Sequence, residues 1–396
     1  MPVFRPFHGL RFNNKVFAES LAPPYDVLSQ DDVRKLRASA ATNVTWIDVP
    51  LADDGENPYQ ISAETLTNWC GSGVLERDEV PSFTVYRMSF TDESGTERTI
   101  SGVIGALEVV PEGAGGVLPH ERTTPKASTD RLDLTIATNA NLSPVWGLSR
   151  ALGLSALLET PGEHLGRVTI DGVTHTVERV SEPDRVAEIE RLVSGADVLI
   201  ADGHHRYGVA RQFRSYVEQR ELNMSSDAST TMVFVNEMSP EQLAIAAIHR
   251  LYNDVDPNVL RDTLLKSYKR VSSVPADQHA LEEMALNAAV ALVTGSSEVE
   301  LFIPRDDADL GDRDLDGARL EEAFAGLSHT VTYQHGVEHV VDAVRSGAAV
   351  AGILIRPVPF EEIVRTAERG DLMPPKSTFF TPKLLTGLVI RQMGQD

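Results

Sequence analysis

Hydrophobic positions change their period several times along the first 110 residues, and each change marks a new element. Phe4 to Val27 carries Pro, Phe and Asn without a period and reads as irregular. Its Pro23-Pro24 pair fixes the backbone and disfavours helix. Residues 30–38 predict a short helix, whereas Val44 to Val49 alternates and predicts a strand. Pro58 to Cys70 predicts a helix that stops at Gly71 and Gly73. Phe83 to Phe90 and Thr99 to Val109 have strand patterns. The turn-forming run Asp92-Glu93-Ser94-Gly95-Thr96 between them completes a hairpin.

A Pro- and Gly-rich loop at 111–116 leads into Leu118 to Pro144, which shows no period and is crowded with polar side chains. Arg167 to Arg179 then predicts a strand pair turning at Asp171-Gly172, and Pro183 to Val193 a helix. Val198-Leu199-Ile200-Ala201 is a short apolar run that fits a buried strand. It passes through Asp202-Gly203 into a helix reaching Arg220. After a polar loop at 221–230, Met232 to Glu237 and Leu243 to Leu251 read as strands, and Pro257 to Ala325 alternates helices and strands. Val337 to Arg345 is a helix, Val350 to Ile355 a buried strand, and Pro359 to Glu368 a helix closed by Gly370. The tail from Met373 to Ile390 begins as a Pro-rich loop and is expected to end in a helix. Helices and strands mix without a strict βαβ rhythm, so the expected class is α+β, with mixed sheets and flanking helices. A chain of 396 residues suits two lobes. The division expected is 1–225 and 226–396, with 111–144 inserted in the first lobe and 373–390 returning to its cleft.

Composition narrows the function. Hydrophobic residues at 42% and charged residues at 24% describe a folded globular protein. Apolar runs such as Ala288 to Val293 and Ala348 to Ile355 fall far short of a membrane span. Met1-Pro2-Val3-Phe4-Arg5-Pro6 lacks the apolar stretch of a signal peptide. The single cysteine, Cys70, excludes an internal disulfide framework and a Cys-based zinc site, and it reads as a packed apolar group. These features together place the chain in the cytoplasm as an expectation. A formal net charge of −22 argues against a general nucleic-acid binder, which needs a basic face. An anionic ligand must then be held by a few well-placed cations and backbone N–H groups.

Asp202-Gly203-His204-His205-Arg206 supplies such groups. A helix start leaves its first N–H groups without internal partners, and with the helix dipole they attract phosphate or carboxylate. Gly203 lets a ligand approach the chain. Arg206 offers two parallel hydrogen bonds. His204 and His205 offer donors, a proton relay or metal ligands. Asp202 is suited to orient a histidine, hold Mg²⁺ or act as a base. A plain capped helix start explains the sequence poorly, because His-His-Arg opposes the dipole.

Two other motifs fail on inspection. Asp312-Arg313-Asp314-Leu315-Asp316-Gly317 copies the start of an EF-hand loop, but position 12 falls on Ala323, so an acidic helix start fits better. His335-Gly336-Val337-Glu338-His339 matches the inverted zincin pattern without a third ligand and reads as a solvated helix face. No Walker loop occurs in the sequence.

The turn from Asp202 to Tyr207 resembles the signature of the ParB/sulfiredoxin superfamily, whose members bind nucleotide phosphates at a helix start. Its Asp-Gly-His-His-Arg form resembles the free-serine kinases, which make O-phosphoserine. At full length the chain is similar to a widespread prokaryotic family long labelled a domain of unknown function. Matching blocks are Arg5-Pro6-Phe7, Ala22 to Val27, Pro119-His120-Glu121-Arg122-Thr123, Asn139 to Pro144, the turn itself and Met373 to Thr378. The resemblance implies a ParB/sulfiredoxin-like nucleotide-binding core over 1–225 and a second α/β lobe. It sharpens the anion to the phosphates of ATP or ADP, with Mg²⁺ on Asp202 and Glu121.

The roles then expected are these. Asp26 or Glu121 takes the proton of a substrate hydroxyl, and His204 or His205 neutralises or relays charge. Asp202, Gly203, Arg206, Tyr207, His120, Arg122, Lys126, Lys376 and Thr378 hold the nucleotide, and Thr378 also caps the last helix. The leading function is a nucleotide-dependent phosphotransferase acting on a small hydroxyl compound, L-serine first. One alternative is a ParB-like nucleotide switch without an acceptor. Another is a metal-dependent hydrolase built on His204, His205, Asp202 and His120. The sequence leaves the oligomeric state open, a homodimer included.

Overall fold

The structure, a computed structural model, describes residues 1–51, 56–92, 95–111, 113–119, 128–223, 225–370 and 372–394. It divides into two compact units. The first takes Met1–Pro119, the stretch that ends at Ala244, and the C-terminal Pro382–Asp396; the second is Ile245–Thr381. The boundary expected at 225/226 therefore sits between Ala244 and Ile245. The reason is Thr230–Glu237, a strand that pairs with both Glu97–Glu108 and Val145–Ser149 and so belongs to the first sheet.

Among the described residues the first unit holds a nine-stranded mixed sheet. Its order is Val117–Pro119, Val198–Asp202, Val145–Ser149, Thr230–Glu237, Glu97–Glu108, Phe83–Thr91, Val173–Val180 and Glu163–Ile170, with Phe4–Arg5 added on Glu97–Glu108. Two contacts are parallel: Val198–Asp202 with Val117–Pro119, and Thr230–Glu237 with Val145–Ser149. Leu154–Glu159 and Pro183–Ser194 are helices that place Leu154, Leu158, Ile189 and Val193 in one core cluster with sheet residues such as Phe83 and Val233. A second cluster joins Leu10, Phe12, Leu66, Trp69, Leu134 and Ile390. Cys70 packs against that cluster, and burial pushes its thiol pKa up.

The second unit is a six-stranded antiparallel sheet among the described residues. Two apolar clusters pack on it. One uses Leu260, Leu264, Leu320 and Phe324 from helices Pro257–Ser267 and Asp316–Ala323 and the residue that follows the latter; the other uses Met284, Val337, Val340 and Val344 from His279–Asn287 and Val337–Arg345. The class is α+β, as the missing βαβ rhythm predicts. No helix among the described residues is long and apolar enough to cross a membrane.

Three elements differ from the sequence reading. The strand expected over Val44–Val49 is a helix, Thr45–Asp48. Asn43 accounts for it: its Oδ1 accepts from Thr45 N at 3.1 Å and Thr45 Oγ1 at 2.8 Å, while its Nδ2 donates to Glu19 O and Leu21 O. The aperiodic region after 118 contains a helix, Ser128–Thr138. The helix expected at the end of the tail does not form. Its backbone pairs with the N-terminal segment instead: Thr386 N donates to Ala22 O at 2.8 Å and Ile390 N to Leu10 O at 2.9 Å. Leu384, Leu385, Leu388, Val389 and Ile390 are all buried, a pattern that no one-sided helix gives. With that helix gone, Thr378 is not its cap.

Candidate functional site

A strand of the first sheet paired on both sides delivers the turn. Strand Val198–Asp202 ends at Asp202, and helix His204–Gln219 starts after the single residue Gly203. Gly203 makes this possible with φ 83° and ψ 29°, left-handed values that a side chain would strain. A Cβ there would also lie 2.9 Å from Arg206 Nε and 3.0 Å from its Cζ, so the guanidinium rests against the bare glycine. No side chain caps this helix at Gly203.

Asp202 is the hub. Its Oδ2 accepts from Arg206 Nη2 at 2.7 Å and its Oδ1 from Lys383 Nζ at 2.9 Å. Burial would raise the Asp202 pKa, but Lys383 and Arg206 outweigh it and hold the carboxyl at about 2. Arg206 also donates through Nη1 to Pro144 O, and its side chain is only 8% exposed. Burial works against its charge; Asp202 first, then Asp26, Tyr25 and Asp48, more than restore it and raise its pKa.

Around Arg206 lies an aromatic and ionic shell. Tyr25 opens the 3₁₀ turn Tyr25–Val27 behind Pro24, and Asp26 is exposed on the same turn. The Arg131 guanidinium stacks over the Tyr25 ring at 4.0 Å and donates to Asp48 Oδ1 at 2.5 Å. Burial pushes the Tyr25 phenol up, while Arg206 and Arg131 pull it back. Arg131 and Arg206 both line a cavity of 40 Å³, room for a few waters and far too small for a nucleotide. His204 and His205 are half-buried at the helix start.

The residues read from sequence are thus distributed as follows. Asp202, Gly203, His204, His205, Arg206 and Tyr207 share the turn, and Asp26 is close enough to act on Arg206. Tyr207 is buried with its hydroxyl engaged: it donates to Glu108 O and accepts from Val110 N, both at 2.9 Å. That bond anchors the helix to the sheet. Lys376 and Thr378 belong to the second unit. His120, Glu121, Arg122 and Lys126 lie outside the described residues. Sequence reasoning missed Lys383 altogether. It follows Thr381-Pro382, a proline-stiffened context much like that of Lys376, and only the fold separates the two lysines.

Among the described residues no group of three or more His, Cys, Asp or Glu side chains converges to hold an ion. Both Asp202 oxygens are taken by cations, so this carboxylate does not fit the role of a Mg²⁺ ligand. His335, from the zincin-like motif, packs on Phe379 at 3.6 Å between ring centroids. In the EF-hand-like run, Asp316 accepts from Arg356 Nε at 3.0 Å and Nη2 at 2.6 Å.

Comparison with known proteins gives a family and a set of distant folds. The model of a family described as "Protein of unknown function (DUF1015)" matches residues 4–323. No curated protein matches the chain. Among solved structures, a free serine kinase in complex with AMP is 14% identical, with 67% of this chain and 84% of that one aligned at a TM-score of 0.36. SbnI with a C-terminal truncation, from Staphylococcus aureus, is 12% identical over 72% and 85% at 0.37. A conserved hypothetical protein from Pyrococcus furiosus is 14% identical over 69% and 92% at 0.34.

Proposed function

The chain belongs to the DUF1015 family of proteins of unknown function, and on that premise we propose that it is a nucleotide-dependent phosphotransferase acting on a small hydroxyl compound, L-serine the first to try. One observation carries the reading: a single carboxylate, Asp202, is gripped by two cations, Arg206 and Lys383, at a helix start reached through a left-handed glycine. A helix N-terminus repels cations, so two of them held there by one acid suit a site whose ligand brings the missing negative charge. The resemblance of Asp-Gly-His-His-Arg to the free-serine kinases names that ligand as ATP or ADP.

In this reading the β- and terminal phosphates meet the N–H groups at His204 and His205, and Arg206 and Lys383 turn part of their charge from Asp202 to the phosphate oxygens. Asp26 takes the serine hydroxyl proton as the hydroxyl oxygen bonds to the terminal phosphorus and the bond to the departing nucleotide breaks. Glu121 is the alternative base. His204 or His205 neutralises charge on the leaving phosphate, and His120, Arg122 and Lys126 are further candidate contacts to the nucleotide. Mg²⁺ would arrive with the nucleotide, held by phosphate oxygens and water.

The test is purified protein with ATP or ADP and L-serine, with O-phosphoserine read by mass spectrometry. Product should form and should fall by about a hundredfold or more in Arg206→Ala. A protein that binds nucleotide but phosphorylates no amino acid or sugar alcohol would overturn the proposal.

A second reading has its own support. Arg206 is pinned by Asp202 and Pro144 O and nearly buried, so an arriving phosphate must rearrange it. A nucleotide switch without an acceptor uses such a rearrangement directly. Tight nucleotide binding with altered hydrogen-exchange protection around 202–206, and no phosphorylated product, is its signature.

A further inference from the structure

The six-stranded sheet of the second unit ends in two unlike edges. At one lies strand Tyr268–Pro275, and at the other Thr330–Gln334, which pairs only with His249–Asn253 among the described residues. A sheet edge presents unpaired backbone N–H and C=O groups that invite another strand, and proteins blunt such edges with charge, proline or a bulge.

Strand Tyr268–Pro275 has all three devices. Its register against Glu298–Pro304 shifts between Arg270 and Ser272, Lys269 and Arg270 are exposed, and Pro275 closes it. Thr330–Gln334 has none of them. Its register against His249–Asn253 is unbroken, and Thr-Val-Thr-Tyr-Gln contains neither a charge nor a proline. Thr330 and Thr332 are exposed, as are Val331 at 36% and Tyr333 at 39%.

Val331 and Tyr333 stand on one face of the sheet. They lie opposite Tyr252 and Arg250, and Tyr252 belongs to the core cluster that includes Leu260, Leu320 and Phe324. The Arg250 guanidinium sits 4.8 Å from the centre of the Tyr333 ring. The exposed pair thus continues an apolar face past the last strand.

We infer that a second copy of the chain adds its own Thr330–Gln334 to this edge, antiparallel about a two-fold axis through Thr332, so that one sheet runs through both copies. The strand is complementary to itself in that register. Val331 meets the partner's Tyr333 on one face, while Thr332 meets the partner's Thr332 and Thr330 the partner's Gln334 on the other. Aromatic–β-branched and Thr–Thr pairs are favourable across antiparallel strands, and like charges are not. In a chain of net charge −22, an uncharged edge lets two copies meet without repulsion across the seam. Asp254 accepts from Thr330 Oγ1 at 2.8 Å and comes beside the partner's Gln334, which is uncharged. The contact uses the same patch on both copies, so it closes at a dimer. A pair of five-residue strands buries less than the roughly 1,200 Å² of a standard interface, which makes the dimer weak and concentration-dependent. It rests on the second unit alone and is independent of the phosphotransferase reading.

Sedimentation velocity of the full chain should show a dimer that grows in between about 1 and 200 µM, with Kd on the order of 10–100 µM. Thr332→Lys sets two ammonium groups opposite each other at the axis and should weaken the dimer about tenfold or more. Val271→Lys, on the blunted edge, should leave it unchanged. Register is read by crosslinking: opposed Cα atoms of antiparallel strands lie about 4.5–5.5 Å apart, within disulfide reach. Thr332→Cys in a Cys70→Ser background should therefore form a disulfide-linked dimer on mild oxidation, and Val271→Cys should not. A chain that stays monomeric at about 200 µM overturns the inference and leaves the edge to a strand of another protein. A dimer indifferent to Thr332→Lys, or crosslinking at Val271→Cys as readily as at Thr332→Cys, overturns it as well. Phosphoserine formation is read separately, so failure of either proposal is visible without the other.

Discussion

Helix His204–Gln219 in the first unit and helix Asp316–Ala323 in the second both begin among charged side chains, and they treat charge in opposite ways. In the second unit an acid stands in the first turn, where the dipole favours it. Asp316 and Asp314 are matched by Arg356 and Arg319, two acids to two cations, with contacts between 2.6 and 3.0 Å. In the first unit two cations share one acid at the end of the helix that repels them. Balanced charge at a helix start is what stability alone selects. In the reading proposed above, the two cations held on Asp202 are the groups that a ligand engages.

The contrast can be broken by removing the acid from each cluster. Asp202→Asn takes from Arg206 and Lys383, beside a helix N-terminus, the carboxylate that both bond. Unfolding by urea should show a loss of about 3 kcal/mol, while pyrophosphate binds several-fold more tightly because the cations are released. Lower stability without tighter anion binding would make the first cluster a structural brace like the second.

Acid titration gives the next largest effect. Asp202 has its pKa depressed from 3.8 in the ordinary state to about 2 in the fold. Its contribution is therefore complete above pH 4 and is lost as pH falls through about 2, a change of about 2 kcal/mol that Asp202→Asn abolishes. Gly203→Ala sharpens the local side of the comparison. The left-handed backbone and the contact with Arg206 should cost about 1–2 kcal/mol, and nucleotide affinity should fall with it. Asp316→Asn should be mildest, about 1 kcal/mol by thermal denaturation, since Arg356 keeps Asp314 and the new amide still accepts.

What the sequence disclosed depended on whether charge or apolar period marked the element. The strand and helix around Gly203 were legible because Val198 to Ala201 is an unbroken apolar run and Asp202 and Arg206 are four residues apart. Helix Ser128–Thr138 was hidden because two of its buried residues, Arg131 and Thr138, are polar and erase the apolar stripe. Thr45–Asp48 was misread for a related reason: Asp48 is buried against Arg131, yet in sequence it counts as a polar position and completes a false alternation. Lys383 was beyond any local rule, since 181 residues separate it from Asp202. The DUF1015 match covers both hidden helices but ends at residue 323, short of Lys383.

The tail that brings Lys383 has a consequence for how the protein is made. The first unit is finished only by residues that follow the whole of the second, so a ribosome must synthesise the second unit before the first can close. At ordinary elongation rates that interval is on the order of 10 s. During it Leu10 and Ala22 lack the backbone partners that Ile390 and Thr386 later supply. Until then the core cluster of Leu10 and Phe12 lacks Ile390. A chain released before Pro382 would carry Asp202 and Arg206 but lack Lys383, the second cation on that carboxylate.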